Sequence, residues 1–270
     1  MDFDRFKITG DKKVSLKDYP TDYDGGLSED DLKEAVKGVS KDIVELQEKL
    51  FAEKQQSLLI VLQAMDAAGK DSTIEKLTYS MNAQGCNVHS FKKPCKTELA
   101  HDFLWRIHAA APAKGEINIF NRSHYEDVLI VKAHGWASDK TIEKRYQHIN
   151  NFEELLSDSG TRVVKFMLNI SPDYQLERFK RRLRRPEKHW KFNPADIEER
   201  KLWPQYMSAF EQVFEHCSSN AAPWYIVPAE NRRFRDYMMA SVVKAHLNDL
   251  SPKYPKPNFD ADRYTADSLE

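Results

Sequence analysis

Residues 58–81, LLIVLQAMDAAGKDSTIEKLTYSM, decide the fold of this 270-residue chain. The segment begins with five consecutive apolar residues (58–62), the pattern of a strand that is covered on both faces in a parallel sheet. A turn of small residues follows, and Ile74, Leu77 and Met81 then recur at helical spacing. The order of strand, small-residue loop and helix is typical of a phosphate-binding loop.

The loop in this segment suits an anion. The first amides of a helix lack intrahelical partners and carry the positive end of its dipole, so small residues there let an anionic oxygen approach the backbone. Gly69 and Lys70 lie where such a loop needs a glycine and an ammonium group. Ala64 replaces the usual first glycine, and Asp71 replaces the Ser or Thr that normally binds magnesium. The metal must then find other oxygens, and Asp66 is the nearest candidate. The alternative is a small-residue turn with a chance Gly-Lys pair.

Composition limits the class of protein. The chain is long enough for a single α/β domain with a substantial core. No apolar run approaches the roughly 20 residues that span a bilayer, and the polar, acidic start does not resemble a secretory signal. Three widely spaced cysteines indicate neither a disulfide framework nor a zinc site. We therefore expect a cytoplasmic protein without a membrane partner.

Charge is nearly balanced overall but unevenly distributed. The net charge of −1 argues against a general nucleic-acid-binding protein. Residues 18–31 are mostly acidic, whereas residues 178–191 are strongly basic. We expect these local fields, and not the net charge, to select the ligand.

Strands and helices alternate along the rest of the chain. We predict strands at 87–91, 116–120, 163–170 and 224–227, and helices at 28–54, 97–110, 140–157, from 171, 193–214 with a kink at Pro204, and 234–247. This alternation predicts an α/β fold, a five-stranded parallel sheet flanked by helices. The predicted organisation is one P-loop kinase domain (1–270) with an N-terminal arm (1–27), a basic helical lid (172–200) and a C-terminal tail (251–270).

A second group of charged residues follows the third predicted strand, in the heptad NRSHYED (121–127). A P-loop phosphotransferase needs an acid near a neighbouring strand end to orient magnesium, and cations to offset charge on the transferred group. Arg122, Glu126 and Asp127 supply both. We expect His124 to be a packed or hydrogen-bonding residue, because phosphoryl transfer needs little proton chemistry.

Two lysines follow the second predicted strand. Lys92 and Lys93 should emerge at the same sheet edge as the phosphate loop, because ligand sites gather at the carboxyl ends of parallel strands. They either face an anionic substrate or are solvated surface lysines.

The basic stretch RFKRRLRRPEKHWK (178–191) is the third chemical feature. Four arginines fall on one helical face, at Arg178, Arg181, Arg182 and Arg185. Cations this dense repel one another, so an anionic partner should stabilise them. The segment is a solvated basic face, a nucleic-acid patch with Trp190 as its aromatic, or a lid that closes over a phosphate chain. We favour the lid.

Together, these stretches closely resemble the polyphosphate kinases of family 2. The stretches are QAMDAAGKDST (63–73), FKKP (91–94), HDFLWR (101–106), FNRSHYEDVL (120–129) and the basic stretch at 178–191. The resemblance runs from about residue 18 to 249, and these motifs are far more specific than a lone phosphate loop.

The resemblance implies reversible transfer of a phosphoryl group between inorganic polyphosphate and a nucleotide, with Mg²⁺ or Mn²⁺ as cofactor. Members with a glutamate at the position of Glu126 are expected to phosphorylate nucleoside mono- and diphosphates (class III-like). We therefore expect AMP and ADP as acceptors, giving ADP and ATP, with other purine nucleotides as further candidates. Family members commonly associate, so a homo-oligomer (dimer or tetramer) is expected.

The family's functional residues match particular positions of this chain. Its loop aspartate and lysine match Asp66 and Lys70, and its strand-end arginine matches Arg122. Many members have an aspartate at Asn121, so either Asn121 or Asp127 takes the usual metal-coordinating role.

The predicted site therefore has two parts. The predicted catalytic residues are Asp66, Lys70, Arg122, Glu126 and Asp127, with Asp66 and Asp127 as metal ligands. The predicted phosphate-binding residues are Ala67, Ala68, Gly69, Asp71, Ser72, Lys92, Lys93, Arg178, Arg181, Arg182, Arg185 and Lys188.

Two rival functions remain open. An ATP-dependent nucleoside or nucleotide monophosphate kinase would use the same loop and a basic lid. A non-catalytic polyanion- or RNA-binding protein would explain the basic stretch but leave Asp66, Lys70 and Glu126 without a role.

Overall fold

The computed structural model describes residues 1–10, 13–79, 81–260 and 263–264. The fold is built around one mixed β-sheet. Within these residues the sheet has six strands: β1 (Lys7–Ile8), β2 (Ser57–Ala64), β3 (Cys86–Ser90), β4 (Ile117–Asn121), β5 (Thr161–Asn169) and β6 (Trp224–Pro228). Their order is β1-β6-β5-β2-β4-β3. All neighbours are parallel except β1, which pairs antiparallel with β6.

Helices cover both faces of this sheet. The α-helices of the described residues are α1 (Glu29–Glu53), α2 (Lys70–Thr78), α3 (Lys96–Leu99), α4 (Trp105–His108), α5 (Glu126–Ala133), α6 (Asp139–Asp158), α7 (Pro172–Leu183), α8 (Ala195–Lys201), α9 (Trp203–His216) and α10 (Arg232–Leu250). Among the described residues, no helix combines the length and apolar character that a membrane crossing requires.

Strand β2 lies in the core, as its apolar run predicts. Leu58, Ile60 and Leu62 pack in one hydrophobic cluster with α1, α2 and α10. Leu59 and Val61 pack in a second cluster, on the opposite face, with α5, α6 and α9. Side chains alternate between the faces of a strand, so both faces of β2 must be apolar.

The position of β2 in the sheet locates the ligand crevice. β2 lies between β4 and β5, and the strands that follow it in the sequence lie on both sides of it. In open α/β sheets, ligands bind outside the carboxyl ends of the strands at such a switch point. The loop after β2 therefore lies where a ligand is expected.

The prediction of a five-stranded, wholly parallel sheet was wrong by one strand. The sixth strand, β1, comes from the predicted N-terminal arm and pairs Lys7 with Tyr225 and Ile8 with Trp224. A strand of two residues has no readable period. The arm is anchored by its buried Phe3, Phe6 and Leu16.

Several predicted helices differ in extent. The helix predicted at 97–110 is two short helices, α3 and α4, and the Asp102 carboxylate between them accepts from Leu104 N at 2.9 Å. The helix predicted at 193–214 is also two, α8 and α9. Pro204 does not kink a helix but lies in the first turn of α9, where its missing N–H costs nothing. Helix α5 was not predicted.

Two predicted terminal segments are only partly described. Residues 11–12 of the arm, and residues 261–262 and 265–270 of the C-terminal tail, lie outside the described residues.

Candidate active site

The phosphate loop between β2 and α2 has a backbone that requires glycine at one position. Gly69 has a φ of +110°. A Cβ at Gly69 would lie 2.5 Å from Nη1 of Arg235, a side chain that is 2% exposed and bonded to Asp236. Any larger residue would both strain the backbone and displace a buried guanidinium.

Lys70 lies at the start of α2 and reaches back across the loop. Its Nζ donates to the carbonyl oxygen of Ala64 at 3.0 Å. Burial lowers the pKa of Lys70, and the carboxylate of Asp66 opposes that shift. The ammonium group is thus held beside the loop in a partly desolvated place, where it interacts strongly with an anion.

Arg122 connects the end of β4 to the phosphate loop. Its backbone is left-handed (φ +63°), and its Nη2 donates to Asp66 Oδ1 at 2.8 Å. Burial would lower the pKa of Arg122, but the carboxylates of Glu126 and Asp66 outweigh it and the pKa is raised. Arg122 is therefore a fixed positive charge beside Asp66.

Backbone strain is concentrated at this site. Four non-glycine residues of the described chain have positive φ, and two of them, Lys54 and Ser251, are helix C-caps. The other two are Ala67, in the phosphate loop, and Arg122. Such conformations persist only where the surroundings enforce them, and they cluster at functional sites.

A cleft of about 900 Å³ opens beside the phosphate loop, at the carboxyl ends of the strands. Eleven cations line it, namely Lys70, Lys92, Lys93, Arg122, Arg178, Arg181, Arg182, Arg185, Lys188, Lys191 and Arg232. Within the described part of the chain, its only carboxylates are those of Asp66 and Asp71. We call this cavity the basic cleft. So strong an excess of positive charge suits a multiply charged anion.

The basic cleft brings together most of the residues predicted from the sequence. Asp66, Ala67, Gly69, Asp71 and Ser72 join the predicted lysines and arginines in its lining, whereas Ala68 is buried in the core. Sequence reasoning missed Lys191 and Arg232. Arg232 follows the end of β6, and the rule that ligands bind at the carboxyl ends of strands could have identified it.

A second cavity, of about 260 Å³, lies next to the basic cleft. Asp66 and Arg122 line both cavities, so this ion pair stands at their junction. We call it the inner cavity. Glu126, Tyr206 and Phe210 also line it.

Glu126 faces the inner cavity and not the basic cleft. Burial raises its pKa, while Arg122 and Lys70 oppose the shift. When the amide of Gln63 is oriented to satisfy its neighbours, its nitrogen donates to Glu126 Oε1 at 2.9 Å. Its oxygen then accepts from Ser123 N and Oγ, each at 3.1 Å.

The structure does not bring Asp127 together with Asp66. Asp127 lines neither cavity, and its Oδ1 lies 3.8 Å from Nη1 of Arg145. Burial raises the pKa of Asp127, and Arg145 opposes the shift.

The basic stretch begins on α7 but leaves the helix before its last arginine. α7 ends at Leu183 because Pro186 disfavours helical backbone at Arg185, whose φ and ψ are −122° and 105°. Arg182 is paired, with Nη1 2.9 Å from Lys191 O and 3.3 Å from Asp196 Oδ2.

The donor set at the phosphate loop was compared with the needs of a divalent cation. No group of three or more His, Cys, Asp and Glu side chains gathers within the described ranges. Mg²⁺ usually keeps several waters and binds through one or two carboxylates together with substrate phosphates. Asp66 and Asp71, which both face the basic cleft, fit that pattern. Asn121 orients Asp71, because its Nδ2 donates to Asp71 Oδ1 at 3.0 Å.

A buried polar network lies behind the 121–127 segment. Lys165 of β5 and Glu153 of α6 form an ion pair in the core. Lys165 Nζ also donates to Tyr125 Oη at 2.9 Å and to Cys217 O at 2.7 Å. The other oxygen of Glu153 accepts from Tyr125 Oη at 2.7 Å and lies 3.3 Å from His124 Nε2.

This network fixes the residues between Arg122 and Glu126. Burial alone would raise the pKa of Glu153, but Lys165 and His124 outweigh it and the pKa is lowered. All three protons of the lysine ammonium have acceptors, which is what a buried charge requires. His124 is thus a buried, hydrogen-bonded residue, as predicted.

Comparisons with known proteins identify the family. The family model described as Polyphosphate kinase 2 (PPK2) matches residues 26–255. The AMP/ADP-polyphosphate phosphotransferase of Meiothermus ruber is 41% identical over 257 residues, covering 94% of this chain and 96% of that protein. The ADP-polyphosphate phosphotransferase of Rhodopseudomonas palustris is 40% identical over 265 residues, covering 93% and 92%.

A solved structure supports the same family assignment. The crystal structure of Polyphosphate Kinase 2 from Arthrobacter aurescens superposes with a TM-score of 0.93 at 38% identity, covering 97% of this chain and 96% of that one. The chain therefore belongs to the polyphosphate kinase 2 family.

The buried network yields a prediction about stability. Replacing Lys165 by Met leaves Glu153 buried without its counter-ion, so we expect the free energy of unfolding to fall by about 3–5 kcal/mol. The double variant Lys165→Met, Glu153→Leu removes both charges and should recover much of that loss. Urea denaturation of the three proteins measures both effects. A single variant that loses less than about 1 kcal/mol would show that the pair is not a desolvated ion pair.

Proposed function

We propose that this member of the polyphosphate kinase 2 family transfers a phosphoryl group in line from inorganic polyphosphate to AMP and ADP, giving ADP and ATP. The observation that carries the proposal is the basic cleft, where nine further cations surround Asp66, Lys70 and Arg122. The reaction is reversible, because the donor and the product both hold phosphoanhydride bonds.

The cations of the basic cleft support polyphosphate as the donor. A polyphosphate chain has no base or sugar, only a repeating anion. Guanidinium forks match phosphate oxygens, and lysines act as point charges. The terminal phosphate of the donor would lie at the phosphate loop, where the amides at the start of α2 and the Lys70 ammonium group meet.

We assign the nucleotide acceptor to the inner cavity. Because Asp66 and Arg122 line both cavities, an acceptor phosphate entering from the inner cavity would meet the donor phosphate at this pair. Tyr206, which is half-buried, offers the inner cavity aromatic surface for a nucleoside. The relatives' names differ in whether they include AMP, so AMP as an acceptor rests on Glu126 and the family resemblance.

Each residue at the junction has a separate task. Lys70 and Arg122 would neutralise the equatorial oxygens of the transferred group, and Asp66 holds Arg122 in place by its 2.8 Å hydrogen bond. Asp66 and Asp71 would hold Mg²⁺ or Mn²⁺, in preference to Asp127, whose carboxylate faces Arg145. When bound, the metal ion supplies charge neutralisation between donor and acceptor phosphates. No covalent enzyme intermediate is required.

The segment 172–200 would act as a lid within a single domain. Arg182 ties α7 to the later part of the segment through Lys191 and Asp196, so the segment can close as a unit. Closure would exclude water and bring the α7 arginines, which already line the basic cleft, closer to the donor. From the family resemblance, we also propose a homo-oligomer, a dimer or a tetramer.

An activity assay tests the proposed donor and acceptors. Purified protein mixed with Mg²⁺, long-chain polyphosphate and AMP should form ADP and then ATP, and ADP alone should form ATP, as followed by chromatography. Conversion of ADP only would remove AMP from the proposal. Transfer to AMP from ATP, with none from polyphosphate to either acceptor, would instead favour the ATP-dependent nucleotide kinase.

Replacement of Lys70 tests its proposed role in the transfer step. Lys70→Ala removes a cation that stabilises the transferred group, so kcat should fall on the order of 10³-fold while the fold is kept. Lys76→Ala is the matched control, since Lys76 is an exposed lysine of the same helix outside the basic cleft. Near-normal turnover by Lys70→Ala would remove Lys70 from the mechanism.

Replacement of Glu126 tests its proposed role in the choice between AMP and ADP. Glu126→Asn removes the carboxylate beside Arg122 and leaves a polar side chain, so kcat/KM for AMP should fall more than kcat/KM for ADP, by about tenfold or more. Glu126→Asp, which keeps the charge, is the control for charge. Equal losses for AMP and ADP would mean that Glu126 does not select between acceptors.

A further inference from the structure

A groove of about 430 Å³ runs along the side of α7. Its lining is Tyr174, Glu177, Arg178, Arg181, Arg184, Arg185 and Arg232. We call it the outer groove. It contains no residue of the phosphate loop, so it lies on the far side of the arginines from the transfer site.

The outer groove brings five guanidinium groups together. Among the described residues, none of its five guanidinium groups forms an ion pair or a side-chain hydrogen bond. The one carboxylate that lines it in the described part of the chain, Glu177, is paired with Lys180 at 2.7 Å. Burial and the nearby Arg232 lower the pKa of Arg178. Unpaired cations this close repel one another, so an anion should stabilise them.

The outer groove is continuous with the basic cleft. Arg178, Arg181, Arg185 and Arg232 line both cavities. An anion that fills the basic cleft and extends beyond it would therefore pass along these arginines into the outer groove.

The chemistry of the outer groove favours a ligand without bases. Proteins that bind single-stranded nucleic acid combine cations with several aromatic side chains on which bases stack. The outer groove has one aromatic residue, Tyr174, and it is only partly exposed. A bare phosphate chain needs no stacking surface.

We propose that the outer groove is a second polyphosphate subsite, which binds the part of a long donor chain that extends beyond the basic cleft. The proposal rests on the proposed function, because it assumes that the basic cleft binds the donor end. It makes Arg184 a residue that distinguishes long donors from short ones, since Arg184 lines the outer groove but not the basic cleft.

The test compares donors of two lengths. Arg184→Glu replaces an attractive charge by a repulsive one at an exposed position, so Kd and KM for long-chain polyphosphate should rise roughly three- to tenfold. Both constants for inorganic triphosphate, which fits within the basic cleft, should stay unchanged. Arg184→Gln, which only removes the charge, should give a smaller rise of the same kind. Added salt should weaken long-chain binding by wild type more than by Arg184→Glu.

Lys144→Glu is the matched control. Lys144 is an exposed residue of α6 that lines neither cavity, and its replacement changes the net charge by the same amount. It should leave both donors unaffected.

The outcomes separate the two proposals. Long-chain binding by Arg184→Glu that equals wild type, or an equal weakening for triphosphate, would overturn the outer groove as a subsite. A single-stranded oligonucleotide of similar charge that competes equally well would overturn the assignment to polyphosphate. Wild type that binds long chains but transfers no phosphoryl group would contradict the proposed function, while the comparison of dissociation constants would still decide the role of the outer groove.

Discussion

The ion pair between Arg122 and Asp66 is the interaction on which the site depends. It joins the end of β4 to the loop after β2 by a 2.8 Å hydrogen bond, and it stands at the junction of the two cavities. Arg122 alone would add to a cleft already crowded with cations. Paired with Asp66, it is fixed in position and still presents charge to a ligand, because the carboxylate uses only part of its donor capacity.

The rest of the structure supports that pair from behind. Arg122 has a left-handed backbone, which costs free energy unless the neighbouring chain enforces it. The neighbouring residue Ser123 contacts Gln63, while His124 and Tyr125 are hydrogen-bonded to the buried pair Lys165–Glu153. A buried ion pair is often no more stabilising than an apolar replacement, so its use here is consistent with fixing a position more than with adding stability.

Local patterns in the sequence predicted the fold and much of the site because they depend on neighbouring residues. The apolar run of β2, the loop around Gly69 and the density of arginines after 178 are such patterns, and parallel topology brings strand ends to one edge. Patterns of this kind cannot place Glu126 and Asp127. Consecutive residues on a helix point about 100° apart, so only the packing of α5 decides that Glu126 faces the inner cavity and Asp127 faces Arg145. Likewise, β1 has only two residues, which is too short to show a period.

The distribution of charge explains why recognition can be loose at one end of the site and strict at the other. On the proposed donor side, the guanidinium groups of Arg181, Arg184, Arg185 and Arg232 are exposed and form no ion pair among the described residues, so they can follow a repeating anion in many registers. On the proposed acceptor side, Glu126 and Arg122 are held by short contacts in a smaller cavity, where an unpaired or misplaced group carries a higher free-energy cost. A polymer donor and a defined nucleotide acceptor place these opposite demands on one enzyme. The Arg122–Asp66 pair lies between the basic cleft and the inner cavity, so its geometry, more than the number of cations, should limit the transfer step.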